Sequence, residues 1–260
     1  MREEGFTPCI AEPDIWMRPA GDVCECVAVC VDDLAFAMKD PATFAKTLED
    51  KHNFKLKGTG ELSFHLGANF VRDKDGTLTM SPTKCITERF VSSHVKMFGE
   101  KPSQKCLSPL EPGDHPELDD TEPLNEDGIQ QHQSSMGSLQ WIMSLGWHDM
   151  AFAVMSMSSF RVAPRKGHLE RLKRIAGHVT KMKHFGVKFR VHEPDFSDLT
   201  TAQEDCFSVH GEVQEQLPDN APLPLGKAVQ LTLCVDANSL HDAITGGSVT
   251  ACSHFANVTH

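Results

Sequence analysis

Apolar and polar positions at the start of the chain predict a hairpin followed by a helix. Residues 23–38 form an apolar β-branched run, an acidic pair and a second apolar run, which is typical of two buried strands joined by a tight turn. Residues 41–52 begin with a proline, which favours the first turn of a helix. The apolar residues Phe44, Ala45 and Leu48 then fall on one helical face.

A second hairpin and another helix follow along the chain. The apolar segments 62–70 and 77–80 flank Asp73-Lys-Asp-Gly76, so we expect a strand on each side of this turn. Ser81-Pro82 is a typical helix start and Gly99 a typical helix stop, which predicts a helix between them.

Helical periodicity dominates the middle of the chain. Residues 128–145 and 149–160 read as two helices broken at Gly146, and residues 164–185 as a third. The third helix has one apolar stripe, made of Leu169, Leu172, Ile175, Ala176, Val179 and Met182. Near the end of the chain, residues 229–235 alternate as a strand that ends in Asp236.

Two acidic, proline-containing segments without periodicity, 101–127 and 191–226, predict linkers. They divide the chain into a first domain at 1–100, a helical segment at 128–190 and a short third domain at 227–260. Hairpins followed by helices predict the α+β fold class.

Composition excludes several classes of protein. No apolar run approaches the roughly 18 residues that would span a bilayer, so we expect no membrane partner. The N-terminus lacks a signal-peptide pattern, which predicts an intracellular protein. The sequence does not distinguish between the cytoplasm and the nucleus. The nine cysteines include no C-x-x-C pair, which favours reduced thiols, and the alternative of a cysteine-rich metal protein would require bound zinc.

Charge is unevenly distributed along a chain whose net charge is −11. Residues 161–190 contain ten Lys or Arg and one acidic residue, Glu170. The flanking segments 111–127 and 191–220 each contain eight carboxylates and no Lys or Arg. The basic helix could therefore follow a phosphate backbone, or the acidic flanks could fold back and occupy its cations.

Asp32 and Asp33 lie at the predicted tip of the first hairpin. Carboxylates beside buried strands are costly unless they reach solvent or bind a cation. A solvated turn and a cation site are therefore both open interpretations of this pair.

Several motifs resemble the reverse transcriptases of copia-type retrotransposons. Val31-Asp32-Asp33-Leu34 resembles the Y-V-D-D box of these enzymes, with Cys30 at the tyrosine position. Further collinear segments resemble their other motifs: Gly5–Pro13 with Trp16, Phe54–Gly60 with Phe64–Gly67, Ser108–Leu110, Gln133–Trp141 and Ala163–His168.

The resemblance implies RNA-directed DNA synthesis on a palm domain, with an RNA or DNA primer–template as partner. It implies Asp32 and Asp33 as catalytic, Mg²⁺-binding carboxylates in a two-metal mechanism. A third carboxylate lies well upstream of the box in the family, and 31 residues precede Asp32 here. We therefore expect the chain to need the missing N-terminal reverse-transcriptase segment, and not to polymerise alone.

The resemblance also assigns the later segments. It implies a partial palm at 1–100, a thumb or connection segment at 128–190 and a truncated RNase H start at 227–260, where Asp236 matches a metal ligand. The predicted nucleic-acid-binding residues of the basic block are Arg161, Arg165, Lys166, Arg171, Lys173, Arg174, Lys181 and Lys183.

The sequence contains no tyrosine. Positions that are usually tyrosine in the family are Cys30, Cys85, His132 and His178 here. Mutational drift or editing would explain this pattern. The alternative function is therefore a non-enzymatic transposon remnant, inert or binding nucleic acid through residues 161–190.

Overall fold

The computed structural model describes residues 1–190, 229–238, 242–245 and 249–258. Residues 1–60 belong to one compact unit and residues 61–190 to another, and each unit has its own apolar core. The predicted linker at 191–226 lies outside the described residues.

The sheet of the first unit is a simple antiparallel meander. Its strand order is the chain order, and its strands are β1 (Thr7–Pro8), β2 (Ile15–Ala20), β3 (Val23–Cys30) and β4 (Asp33–Ala37). The predicted hairpin at 23–38 is therefore confirmed as β3 and β4.

Helix α1 (Pro41–His52) covers one face of this sheet. The Asp40 carboxylate accepts a hydrogen bond from the Thr43 backbone N–H at 3.0 Å, which satisfies a free donor of the first turn. Phe44 and Leu48 of the helix pack with Phe6 and Val27 in the core. The predicted helical face at 41–52 is thus confirmed.

The second unit contains another four-stranded antiparallel sheet. Its strands, again in chain order, are β5 (Phe64–His65), β6 (Ala68–Arg72), β7 (Leu78–Ser81) and β8 (Val187–Phe189). The expectation of one strand over 62–70 is wrong, because Leu66 and Gly67 turn the chain with φ of 50° and 89°. A β-carbon on Gly67 would contact Trp141 and Leu145, so glycine suits this turn.

The helix predicted before Gly99 forms, with an unexpected first half. Cys85–Phe90 is π-helical and leads directly into α2 (Val91–Phe98). Gly99 ends the helix in the left-handed conformation, with φ of 75°, as predicted.

Three helices complete the second unit, as the periodicity predicted. They are α3 (Glu126–Ser144), α4 (Ala151–Ser158) and α5 (Lys166–Lys181). The stripe of α5 is buried from Leu169 to Val179, whereas Met182 is 38% exposed because the helix ends before it. The prediction that Met182 belongs to the buried stripe is therefore wrong.

Strands β9 (Val229–Asn238) and β10 (Val249–Val258) pair in a two-stranded sheet. The strand predicted at 229–235 is confirmed but longer, so Asp236 lies inside β9 and not at its end. The α+β class is confirmed. The palm, thumb and RNase H assignments and the domain limits stay predictions.

Candidate nucleic-acid interface

The hairpin of the first unit presents two adjacent carboxylates to solvent. Val31 and Asp32 form the turn, and Asp33 begins β4 opposite Cys30. Both aspartates are exposed. The register alternates Cys30–Asp33 with Val29–Leu34, so Asp33 lies on the sheet face opposite α1.

Carboxylate oxygens suit Mg²⁺, but the pair is an incomplete ligand set. In the described ranges, no three His, Cys, Asp or Glu side chains gather closely enough to hold a metal ion. Asp236 belongs to β9, and its side chain lies outside the description. The six described cysteines are free thiols.

The acidic segment before α3 lies along the basic helix α5. We call residues 103–124 the acidic strap. At one end, a β-carbon on Gly177 would lie 2.1 Å from the Ser103 carbonyl oxygen, so the strap backbone lies against the helix there. At the other end, the Leu124 N–H donates to the Pro164 carbonyl at 3.0 Å. The strap therefore runs antiparallel to α5.

Arg171 is the centre of this contact. Its guanidinium binds Asp114 through two hydrogen bonds, at 2.8 and 2.7 Å, and also binds Asp119. These groups are partly buried, and the two carboxylates raise the pKa of Arg171. Asp119 keeps a lowered pKa despite the opposing effect of its burial, because Thr121 and Arg171 hydrogen-bond to it.

Other cations of α5 are also occupied. Lys166 pairs with Glu122, Arg174 with Glu111, and Lys173 with Glu170 of the same helix. Arg165 donates to the Thr121 carbonyl.

Three predicted nucleic-acid-binding residues remain without side-chain partners. In the part of the chain that the structure describes, Arg161, Lys181 and Lys183 make no side-chain hydrogen bond or ion pair. One of the two open alternatives for the basic block is thus observed: the 111–127 flank folds back onto it. The 191–220 flank lies outside the described residues.

A groove between the π segment and α3 was missed by the sequence analysis. Its volume is about 470 Å³, and no carboxylate lines it. The lining residues are Cys85, Arg89, Phe90, Ser93, Ser134, Gly137, Ser138, Trp141 and Ile142. Serine, glycine and tryptophan spaced three to four residues apart on the exposed face of α3 were the signal that could have found it.

The groove combines an aromatic surface with a free cation. Trp141 is 51% exposed, although tryptophan usually buries its ring. Arg89 is exposed and makes no ion pair with any described residue. Cys85 lies on the buried side, where desolvation raises the pKa of its thiol.

No helix in the described ranges is long and apolar enough to cross a membrane.

Comparison with known proteins finds two sequence relatives, both from transposons. No protein-family model and no solved structure matches it. It is 26% identical over 192 residues to a transposon Ty5-1 protein of Saccharomyces cerevisiae, which covers 73% of this chain and 60% of that protein.

It is also 25% identical over 218 residues to the retrovirus-related Pol polyprotein from transposon RE1 of Arabidopsis thaliana, which covers 80% of this chain and 14% of the polyprotein. The chain thus spans less than two thirds of either relative. These relationships confirm the resemblance seen in the motifs and identify the chain as a relative of retrotransposon Pol proteins over most of its length.

Proposed function

We propose that the chain is part of a copia-type reverse transcriptase and binds a primer–template through its second unit. The observation that carries this proposal is the groove with the exposed Trp141 ring, the unpaired Arg89 and no carboxylate. Aromatic rings stack on unpaired bases and arginine neutralises phosphate, so the groove suits a nucleic-acid strand.

The basic face of α5 has a smaller role in this proposal than its charge suggests. Arg171 and Arg174 would have to leave Asp114, Asp119 and Glu111 before they could bind phosphate. Breaking a partly buried ion pair costs free energy that a phosphate contact must first offset. The groove requires no such exchange.

The Asp32–Asp33 hairpin would serve polymerisation. Mg²⁺ bound there would activate and orient the reacting phosphate and hydroxyl groups, and the two carboxylates would supply part of its ligands. The family's N-terminal palm segment, upstream of the box, would supply the third carboxylate. We therefore expect nucleotide incorporation when the family's N-terminal palm segment is added, and none by the chain alone. Asp33→Asn should abolish it.

Nuclease activity is not part of the proposal. A metal-dependent RNase H site needs several carboxylates, and the resemblance assigns one, Asp236, in this chain.

Fluorescence anisotropy with a labelled primer–template that has a single-stranded overhang tests the binding. We expect binding at low salt that weakens as salt rises, since released counterions drive it. Trp141→Ala should weaken it about tenfold, as loss of one stacked base does. Arg89→Gln should also weaken it, and the matched variants Phe54→Ala and Lys96→Gln, which remove an exposed ring and an exposed cation elsewhere, should not.

Two results would contradict the proposal. Equal loss of affinity in Trp141→Ala and Phe54→Ala would remove the groove as the binding site. No binding by the unchanged protein at low salt would favour the alternative of an inert transposon remnant.

A further inference from the structure

A second groove lies on the other side of the helix that contains the π segment. Its volume is about 250 Å³, and it shares no lining residue with the Trp141 groove. Lys101 and Lys183 line it together with Thr87, Gln104 and Thr180. The two lysines come from separate segments, one after α2 and one after α5.

No described carboxylate neutralises the charge in this groove. None of its lining residues is acidic, and neither lysine pairs with a carboxylate in the ranges that the structure describes. The contrast with α5 is direct, because Lys166, Arg171 and Arg174 there all pair with the acidic strap. Two cations on one cavity without a counter-ion repel each other and favour an anion between them.

The segments that hold the lysines are fixed in place. The Lys183 carbonyl accepts a hydrogen bond from Thr83 Oγ1 at 2.9 Å. Pro102, next to Lys101, is buried, and the Ser103 carbonyl packs against Gly177. The lysine backbones are therefore positioned before any ligand binds, which lowers the entropic cost of binding.

The hydrogen-bonding groups select the kind of ligand. The Thr87 and Thr180 hydroxyls donate to the Thr83 and Ala176 carbonyls, at 2.9 and 2.8 Å, so their hydrogens are already used. The lysine ammonium groups and the Gln104 amide remain as donors. Their natural ligand is a compact oxyanion with several acceptor oxygens.

We propose that this groove binds a phosphoryl group, held between Lys101 and Lys183. The phosphoryl group can belong to a nucleic-acid backbone or to free phosphate or pyrophosphate, which present the same oxygens. The site goes beyond the proposed function, because a free phosphate tests it without any nucleic acid.

Calorimetric titration of the full chain with pyrophosphate, at an ionic strength held constant with sodium chloride, tests the site. We expect the double variant K101Q/K183Q to bind at least tenfold more weakly. The matched double variant K46Q/K96Q removes the same charge from exposed lysines elsewhere in the chain and should bind within twofold of the unchanged protein. Equal affinity in all three proteins, or equal losses in both variants, would overturn the proposal.

A competition experiment identifies the source of the phosphoryl group. If a short single-stranded oligonucleotide displaces pyrophosphate, and K101Q/K183Q weakens its binding, the groove holds backbone phosphate. If pyrophosphate binds unchanged at saturating oligonucleotide, the groove holds free phosphate, and the site stands although it lies outside the nucleic-acid path. Loss of pyrophosphate binding in K101Q/K183Q supports the site in both cases, whatever the outcome at Trp141.

Discussion

His132 makes the stability of the second unit depend on pH. It lies in the middle of α3 with 0% of its surface exposed, and neither ring nitrogen has a hydrogen-bond partner. Burial, together with smaller effects of the nearby His168 and Arg161, lowers its pKa from 6.5 to about 4. The folded protein therefore holds this imidazole neutral.

The direction of the effect follows from where the proton binds. Between pH 6.5 and about 4, the imidazole of the unfolded chain takes up a proton and that of the folded chain does not. The contribution of His132 to the free energy of unfolding is therefore complete above pH 6.5 and is lost as the pH falls toward 4. At about 1.4 kcal/mol per pH unit, the loss amounts to about 3 kcal/mol.

Urea unfolding of a Trp16→Phe background measures this loss, since Trp141 and Trp147 both lie in the second unit. We expect His132 to lower the free energy of unfolding by about 2.5 kcal/mol between pH ~7 and pH ~4.5. His132→Phe keeps an aromatic ring, removes the titrating group and should lose far less.

The comparison isolates His132 from other groups. His94 is also buried with a lowered pKa, but it is present in both proteins. Carboxylates with lowered pKa, such as Glu117 and Asp119, stabilise the fold above their unfolded pKa, so their contribution is lost mainly below pH ~4.5. Parallel pH profiles for the unchanged protein and His132→Phe would refute the reasoning.

Three further variants test other contacts by urea unfolding. Arg171→Met should destabilise the protein by about 2 to 3 kcal/mol, because two partly buried carboxylates lose their cation. The control Lys166→Met breaks an exposed ion pair and should destabilise by less than about 1 kcal/mol. Equal effects would argue against a structural role of the acidic strap. Gly177→Ala should destabilise the protein by about 1 to 3 kcal/mol, because the added methyl group would collide with the backbone of the acidic strap. The control Gly137→Ala has open space around it and should stabilise the helix by about 0.5 to 1 kcal/mol. Unchanged stability in Gly177→Ala would contradict the observed packing. Val31→Gly should stabilise the protein by about 1 kcal/mol, because Val31 holds φ at 51° and its side chain is 92% exposed. No gain in stability would mean that the turn is not strained.

Local patterns predicted the regular elements well. The hairpin at 23–38 and helix α1 were readable because their signals act between neighbours in sequence. These signals were two apolar runs around an acidic pair, and a proline before an apolar helical face. The break at Leu66-Gly67 was not readable from alternation. It depends on the left-handed conformations of Leu66 and Gly67, which a pattern of apolar and polar residues does not reveal.

The packing of the acidic strap on α5 could not be predicted from sequence for a different reason. Its residues have no periodicity, which is also true of a solvated linker, and its partners lie more than forty residues away, with Arg171 and Asp114 separated by 57. Charge counting could show that the flanks and the helix were complementary. It could not decide between pairing within the chain and binding to phosphate, since both use the same cations.

The candidate site was predictable only in part. Asp32 and Asp33 could be placed at a hairpin tip because such a tip is a local feature, and in the structure they are exposed there. Their catalytic role stays a prediction. Both grooves of the second unit were missed. The spacing on α3 showed only one wall of the Trp141 groove, and the second groove joins Lys101 and Lys183, which are distant in sequence and which no local pattern brings together.

The missing tyrosines connect the sequence to the pH dependence. Cys85, His132 and His178 resemble tyrosine positions of the family, and all three are buried. A phenol stays neutral to about pH 10, whereas an imidazole has two nitrogens to satisfy and a pKa near 6.5 in water. The histidines leave buried polar atoms unsatisfied, because both ring nitrogens of His132 and Nδ1 of His178 lack hydrogen-bond partners.

Drift and editing therefore predict different populations of protein. Editing would produce from one locus a tyrosine form and a histidine form at position 132. The tyrosine form would lack the part of the stability loss between pH ~7 and pH ~4.5 that His132 causes. Drift would produce the histidine form alone, with one acid-sensitive unfolding transition. Comparison of genomic and cDNA codons at positions 30, 85, 132 and 178 separates the two, since identical Cys and His codons in both exclude editing.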